Sequence, residues 1–277
     1  MSWKVSPAMT WNESVWNPSM LSTALWLDAA DASTIAESGG AVSQWNDKSG
    51  NGRHATQSNS SYKPSLTANG LNGLNVVTFD GVNDILGFSD LAWTNNIGAI
   101  SYFVVTKTSD QATTSYKALF QIRTGAGFGF DRASLYVRNS QLEAGGRRLD
   151  SNSYAFRSTG SLSSNAFQGS AIYNYAAATL AVNVNGGTVS SGSFQTVGNT
   201  SPTNSTASSI GSTNVGSDSF LPNSNQSYNG YVAEFVALAS AASDTDRQKM
   251  EGYLAHKWGL TANLPAGHPY KLVGPTP

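Results

Sequence analysis

The chain of 277 residues contains no cysteine. That excludes a disulfide framework, thiolate zinc sites and a cysteine nucleophile. Charge is also scarce, at 12% of residues, about half the usual share. Solubility must therefore come from Ser, Thr, Asn and Gln. The 16 basic and 17 acidic residues leave a net charge of -1, with no Lys/Arg cluster to neutralise phosphates. No nucleic-acid partner is expected, and the one basic doublet, Arg147-Arg148, reads as an exposed loop. No apolar run approaches the ~18 residues of a membrane span, so no membrane partner is expected. The start, Met1-Ser-Trp-Lys-Val-Ser-Pro7, lacks a basic stretch followed by an apolar one, so no secretory signal is expected.

Catalytic patterns are missing as well. The five glutamates (Glu13, Glu37, Glu143, Glu234 and Glu251) have no carboxylate two residues away. The paired-carboxylate arrangement of glycan hydrolases, with both acids on one strand face, is therefore absent. Asp244 and Asp246 have that spacing, but at a helix start, where capping explains them. No nucleophile elbow, phosphate loop or His-Glu-x-x-His stretch occurs. The histidines, His54, His256 and His268, are too scattered for a local metal site. No enzymatic activity is expected.

What is present is strand and turn chemistry, with 27 glycines and abundant Ser, Thr and Asn. Short strands are predicted at Leu25–Leu27, Val42–Trp45, Leu74–Phe79, Ala118–Arg123, Gly127–Phe130 and Ser134–Val137. The run Ile100–Thr106 is apolar or β-branched nearly throughout, the pattern of a strand covered on both faces. A hairpin pair is predicted over 167–175 and 179–185, closed by Gly186-Gly187. Residues 230–239 form another strong strand. The Ser/Asn/Thr-rich stretch 198–229 reads as long surface loops. One helix is predicted at about 244–258, capped by Ser243, with Met250, Leu254 and Trp258 on one apolar stripe and Gly259 as its stop. These elements predict an all-β, two-sheet antiparallel sandwich with one short C-terminal amphipathic helix. Residues 1–22 read as an extended arm, 23–277 as one domain, and 260–277 as an extended tail.

Three stretches carry a family resemblance. They are Leu25-Trp-Leu-Asp-Ala-Ala-Asp31 with Val42-Ser-Gln-Trp-Asn-Asp-Lys-Ser-Gly-Asn-Gly52, then Asn75-Val-Val-Thr-Phe-Asp-Gly81, and Gly230-Tyr-Val-Ala-Glu-Phe235 leading to Glu251-Gly-Tyr-Leu-Ala-His-Lys-Trp-Gly-Leu260. Over roughly residues 23–270 the chain resembles the concanavalin A-like/LamG-like jelly-roll domains of tailed-phage structural proteins and bacterial surface proteins. The resemblance implies two antiparallel sheets of about six or seven strands each. It implies little about function, because lectins, adhesion modules, hydrolases and virion parts share the fold.

Three groups of residues are candidates for function. Asp80, Asn83 and Asp84 offer three oxygen ligands within five positions, a pattern that suits calcium, the one cofactor considered. The same residues also suit a plain turn. Asp47, Ser49 and Asn51, in a dense turn cluster, could hold a cation or a sugar hydroxyl, or close the turn on buried backbone groups. Trp93, in a loop, is the tryptophan free to stack on a sugar ring, whereas Trp45 and Trp258 read as core. Trp3, Trp11 and Trp16 make the arm either a docking segment or a leader folded over the body. The leading expectation is a phage virion structural protein, a capsid decoration or head/tail surface subunit. Its partners would be other virion proteins, further copies of itself and host glycans. The alternative is a carbohydrate-binding module of a bacterial surface or secreted protein.

Overall fold

The computed structural model describes residues 16–89, 91–110, 112–125, 130–163, 165–204, 207–216 and 220–277. Trp3, Trp11 and most of the strand predicted at 127–130 lie outside them. In chain order the strands are β1 (Thr23–Asp28), β2 (Ile35–Ser38), β3 (Ala41–Trp45), β4 (Ala55–Thr56), β5 (Ser65–Leu71), β6 (Leu74–Asp80), β7 (Leu86–Gly87), β8 (Ala99–Thr108) and β9 (Lys117–Arg123). They continue as β10 (Asp131–Arg138), β11 (Gln141–Gly146), β12 (Ala155–Ser158), β13 (Phe167–Asn174), β14 (Thr179–Val184), β15 (Ser190–Ser193), β16 (Ser209–Ile210) and β17 (Asn229–Leu238). The one α-helix among the described residues, α1, spans Asp244–Lys257.

All strand pairings among the described residues are antiparallel, and they define two layers. The first runs β5-β6-β17-β8-β13-β14-β15, with β1 sharing β6's side of β17. The second runs β2-β3-β4-β7-β16-β9-β10-β11-β12. A single pair, Ala41 opposite Ser65, joins the layers at one edge. This is the expected two-sheet all-β sandwich with one late helix.

The core between the layers follows from period-2 alternation. Tyr102 and Val104 of β8 meet Phe120 and Ile122 of β9, while Phe103 and Val105 point the other way. Phe120 stacks on Phe235 at 4.0 Å between ring centres. Tyrosine hydroxyls also cross the gap: Tyr173 donates to the Ser134 carbonyl at 2.6 Å and Tyr175 to the Arg132 carbonyl at 2.7 Å. Each such bond contributes about 1 kcal/mol net and fixes the sheets' relative position.

Helix α1 covers the other face of the first sheet. Met250, Leu254 and Trp258 pack with Phe103, Val105, Ala233 and Val236. The Ile100–Thr106 strand reads as apolar throughout because both its faces are covered. Ser243 Oγ caps the helix by accepting from the Asp246 amide at 3.1 Å. Gly259 ends it at φ +70, where a Cβ would press on Asn72.

Beneath the helix lies a buried charge network. Glu234 Oε1 accepts from Trp26 Nε1 (2.7 Å) and the Tyr253 hydroxyl (3.0 Å), and Oε2 accepts from Trp258 Nε1 (2.6 Å). Lys257 Nζ bridges Glu234 (2.8 Å) and Asp28 (2.7 Å), and Lys48 Nζ joins Asp28 to Asp31, each at 2.9 Å. Burial pushes the Glu234 carboxyl up, against the pull of the Lys257 ammonium.

Two loop readings are corrected. Arg147 is buried, with Nη2 on Thr124 and its guanidinium over the Phe130 ring at 4.8 Å. The stretch 198–229 does not lie on the surface throughout: Thr200, Ser208, Ser209, Ser212, Asn214 and Ser227 are all buried. Their polar groups are largely met locally, as where Ser209 Oγ donates to the Ser212 carbonyl at 2.6 Å. Polarity therefore did not require exposure.

Candidate functional site

The turn cluster 46–52 closes on the beginning of β1. Asp47 Oδ1 accepts from the Trp26 and Ser49 amides, both at 2.9 Å. Its Oδ2 accepts from the Arg53 amide at 3.1 Å and the Ser49 hydroxyl at 2.8 Å. Asp47 thus supports the loop from beneath. Asn51 Nδ2 donates to the Thr23 and Ala24 carbonyls at 3.1 and 3.2 Å. The Asp47 amide donates to His54 Nδ1 at 3.1 Å, which leaves the neutral imidazole's proton on Nε2.

A short 3-10 turn, Ala92–Thr94, carries Trp93 to the same place. Trp93 is half-buried, with the Arg53 guanidinium over its ring at 5.6 Å. Between turn and loop lies a recess of about 310 Å³, lined by Asn51, Gly52, Arg53, His54, Ser89, Ala92 and Trp93. This volume is at the small end for ligand sites. The recess offers one large ring and, around it, guanidinium, imidazole, amide and hydroxyl groups.

The fold thus brings Asn51 and Trp93 together and sets Asp47 behind them. Sequence reasoning missed Arg53, His54 and Ser89. Residue type marked tryptophan and asparagine, but only the tertiary closure of loop 46–54 against turn 92–94 makes neighbours of the others.

Asp80, Asn83 and Asp84 form a self-contained turn. Asp80 Oδ1 accepts from the amides of Val82 (2.8 Å), Asn83 (3.1 Å) and Asp84 (3.3 Å), and Asp84 Oδ2 accepts from the Asp80 amide at 2.8 Å. Burial, with the Asp80 charge adding to it, pushes the Asp84 carboxyl up to about 6 against that amide bond. The N–H groups point their positive ends at the oxygens a cation would need. Among the described residues, no group of three His, Asp or Glu side chains converges to hold a metal. Asp80 Oδ1 and Asp84 Oδ2 are thus engaged by backbone amides, as in a plain turn.

Trp16, the one arm tryptophan among the described residues, is 2% exposed and meets Tyr253 edge-on at 5.9 Å. It packs with the helix and the first sheet, so it is not a free docking side chain. Trp45 and Trp258 are core residues, as expected. His256 is half-buried, with Nε2 against the Tyr270 carbonyl at 2.9 Å. His268 ties the tail to the helix through Glu251 Oε2 at 3.1 Å.

No protein-family profile matches the chain, and no curated protein matches its sequence. Solved structures do match. The binding domain of botulinum neurotoxin DC in complex with SialylT aligns with a TM-score of 0.53 and 12% identity, covering 84% of this chain and 51% of that one. The botulinum neurotoxin serotype D binding domain gives 0.52 at 14%, covering 82% and 49%. A structure of botulinum neurotoxin type C, whose cell entry depends on interaction with two ganglioside molecules, gives 0.52 at 12%, covering 84% and 51%. The chain spans about half the length of these binding domains. The likeness is one of fold: this chain has the antiparallel β-sandwich architecture found in those domains.

Proposed function

We propose that this chain is a carbohydrate-binding module acting at a cell surface or outside the cell, with the Trp93 recess as its sugar seat. The observation that carries this reading is the convergence of a half-buried indole with Asn51, His54 and Ser89 around one small recess. Sugars present an apolar C–H face and a rim of hydroxyls, and a ring flanked by polar groups complements both. One similar structure is a binding domain in complex with SialylT, and another belongs to a neurotoxin whose cell entry depends on interaction with two ganglioside molecules, which supports the same class of partner. The proposed role is binding without turnover. A virion-subunit role would rest on the arm, and neither Trp16 nor the structural neighbours supports it.

The test is a glycan array with the full chain, followed by calorimetry on the best ligand. Trp93→Ala is expected to weaken binding about tenfold or more, the equivalent of ~1.4 kcal/mol, measured below the variant's own melting temperature because the ring also packs on the core. His54→Gln is expected to weaken it less. Failure of every glycan to bind, or binding indifferent to both substitutions, would end this reading.

A further inference from the structure

An amine and two carboxyl groups, all buried, meet under the helix from three different elements. Asp28 ends β1, Glu234 lies opposite it in register on β17, and Lys257 ends α1 above them. Lys257 Nζ stands 2.7 Å from Asp28 Oδ1 and 2.8 Å from Glu234 Oε2, with the Tyr253 hydroxyl at 3.1 Å. Aromatic rings close the space around it. The Trp258 and Tyr253 ring centres lie 5.3 and 5.4 Å from Nζ, and Trp26 Nε1 donates to Glu234 Oε1.

Such a group is an ion-pair network, but it also holds the two reactants of an amide. In water an amine and a carboxylate rarely meet in a productive arrangement, whereas here the fold holds them in contact. Both charges were taken out of water on folding, and an amide between them removes both. The surroundings supply the remaining parts. Glu234 can take a proton from the Lys257 ammonium, which frees the nitrogen lone pair. Burial pushes the Glu234 carboxyl up, the direction that favours taking it. Lys48 Nζ lies 2.9 Å from Asp28 Oδ2, where it can stabilise negative charge on that oxygen as nitrogen adds to the carboxyl carbon.

We infer that Lys257 and Asp28 form an intramolecular amide crosslink, with Glu234 as the proton carrier. Lys257 Nζ passes one proton to Glu234 and bonds to Asp28 Cγ. The Cγ–Oδ1 bond breaks, and Oδ1 leaves as water with the proton returned by Glu234 and a second one from the nitrogen. Oδ2 stays as the amide oxygen, and one hydrogen stays on the nitrogen. The net change is ammonium plus carboxylate to amide plus water, so no oxidant or co-reactant is needed. Before the step the groups are the ion-paired network; after it β1 is tied covalently to α1, and residues 28–257 form a closed loop. Tension applied outside that loop would pass through one bond and bypass the sandwich. Closing so long a loop restricts the unfolded chain, and variants that prevent the amide lose this contribution on top of the ion pairs.

The experiment is mass spectrometry of the full chain, intact under denaturing conditions and after trypsin. Wild type is expected one water lighter than its sequence, with the peptide carrying Asp28 joined to the one carrying Lys257. Lys257→Arg keeps a cation for both carboxylates and should show no water loss. Glu234→Gln should lower the crosslinked fraction about tenfold or more. A wild type of full mass, or Asp28 and Lys257 recovered in separate peptides, would overturn the crosslink whatever the variants do. Water loss that persists in Lys257→Arg would overturn it too, and would point to another dehydration such as a succinimide at Asp80-Gly81. Crosslinking as complete in Glu234→Gln as in wild type would overturn the role given to Glu234.

Discussion

Substituting Glu234→Gln tests whether the network under α1 holds the helix to the sheet. Glu234 is 0% exposed and Lys257 is 6% exposed, so the pair is shielded from solvent. The carboxylate takes two indole N–H groups, one tyrosine hydroxyl and one ammonium. An amide keeps one acceptor oxygen, but its NH₂ then faces donors only. Whichever way it is flipped, at least one buried donor loses its acceptor, at a cost of ~1–3 kcal/mol. Lys257 also loses one of two carboxylates but keeps Asp28 at 2.7 Å, so its charge is not orphaned. For the ion-paired chain the sum should fall near ~3 kcal/mol, the low end for removing one member of a buried pair. Lys257→Met should cost more, ~4 kcal/mol, because Glu234 and Asp28 then face each other with only Lys48 on the Asp28 side. In the double variant the two losses should fall short of additivity by at least ~1 kcal/mol. Urea unfolding followed by tryptophan fluorescence reads this directly, since Trp26 and Trp258 touch the carboxylate. A Glu234→Gln loss below ~1 kcal/mol at unchanged m-value, or strict additivity, would refute the reasoning.

Asp84 supplies a pH test. Its carboxyl is raised from 3.8 to about 6, so the folded state favours the protonated form. That contribution is complete below the unfolded value and is lost as pH rises through about 6. Asp84→Asn keeps an acceptor for the Asp80 amide. It should therefore add ~1 kcal/mol at pH 7, after allowance for solvent screening, and flatten the stability profile between pH 4 and 7. Calcium should leave the melting temperature of wild type and variant alike; a calcium-dependent rise in wild type alone would restore the metal reading. Trp16→Ala should destabilise by ~3 kcal/mol in urea, and an unchanged midpoint would mean that this residue does not pack on the helix. Gly230→Ala should cost more than ~1 kcal/mol, since φ is +150 and a Cβ would press on the Lys107 carbonyl; a neutral result in thermal melts would contradict that approach.

The strands most legible in the sequence were those whose neighbours impose a simple period. The run through Val104 and Val105 is covered on both faces, and Leu180 and Val182 alternate into the core with Ala181 and Asn183 on the opposite face, where Asn183 is buried against Glu251 of α1. Where the backbone departs from that period, the pattern misleads. In β17 a register shift between Val232 and Glu234 sets Ala233 and Glu234 on the helix side. Strict alternation would put Tyr231, Ala233, Phe235 and Ala237 on one face; the shift breaks it, and Glu234 enters the network under α1. Strand β11 went unseen because Gly145 and Gly146 lower strand propensity, yet both are needed where Tyr154 and the Arg132 backbone come close.

The same physics explains which parts of the sites were legible. Side-chain type alone marks Trp93, because a large aromatic ring in a loop is uncommon, and Asn51 is marked only by its place in a dense turn cluster. Arg53, His54 and Ser89 carry no such mark; they become a lining only when Asp47 anchors its loop to Trp26 and Arg53. In a chain with so few charges, Ser, Thr and Asn serve both as surface and as buried hydrogen-bonding material, and composition cannot separate the two roles. The folded partners can: Ser209 Oγ donates to the Ser212 carbonyl and Thr200 Oγ1 to the Thr94 carbonyl, bonds that satisfy these hydroxyls away from solvent.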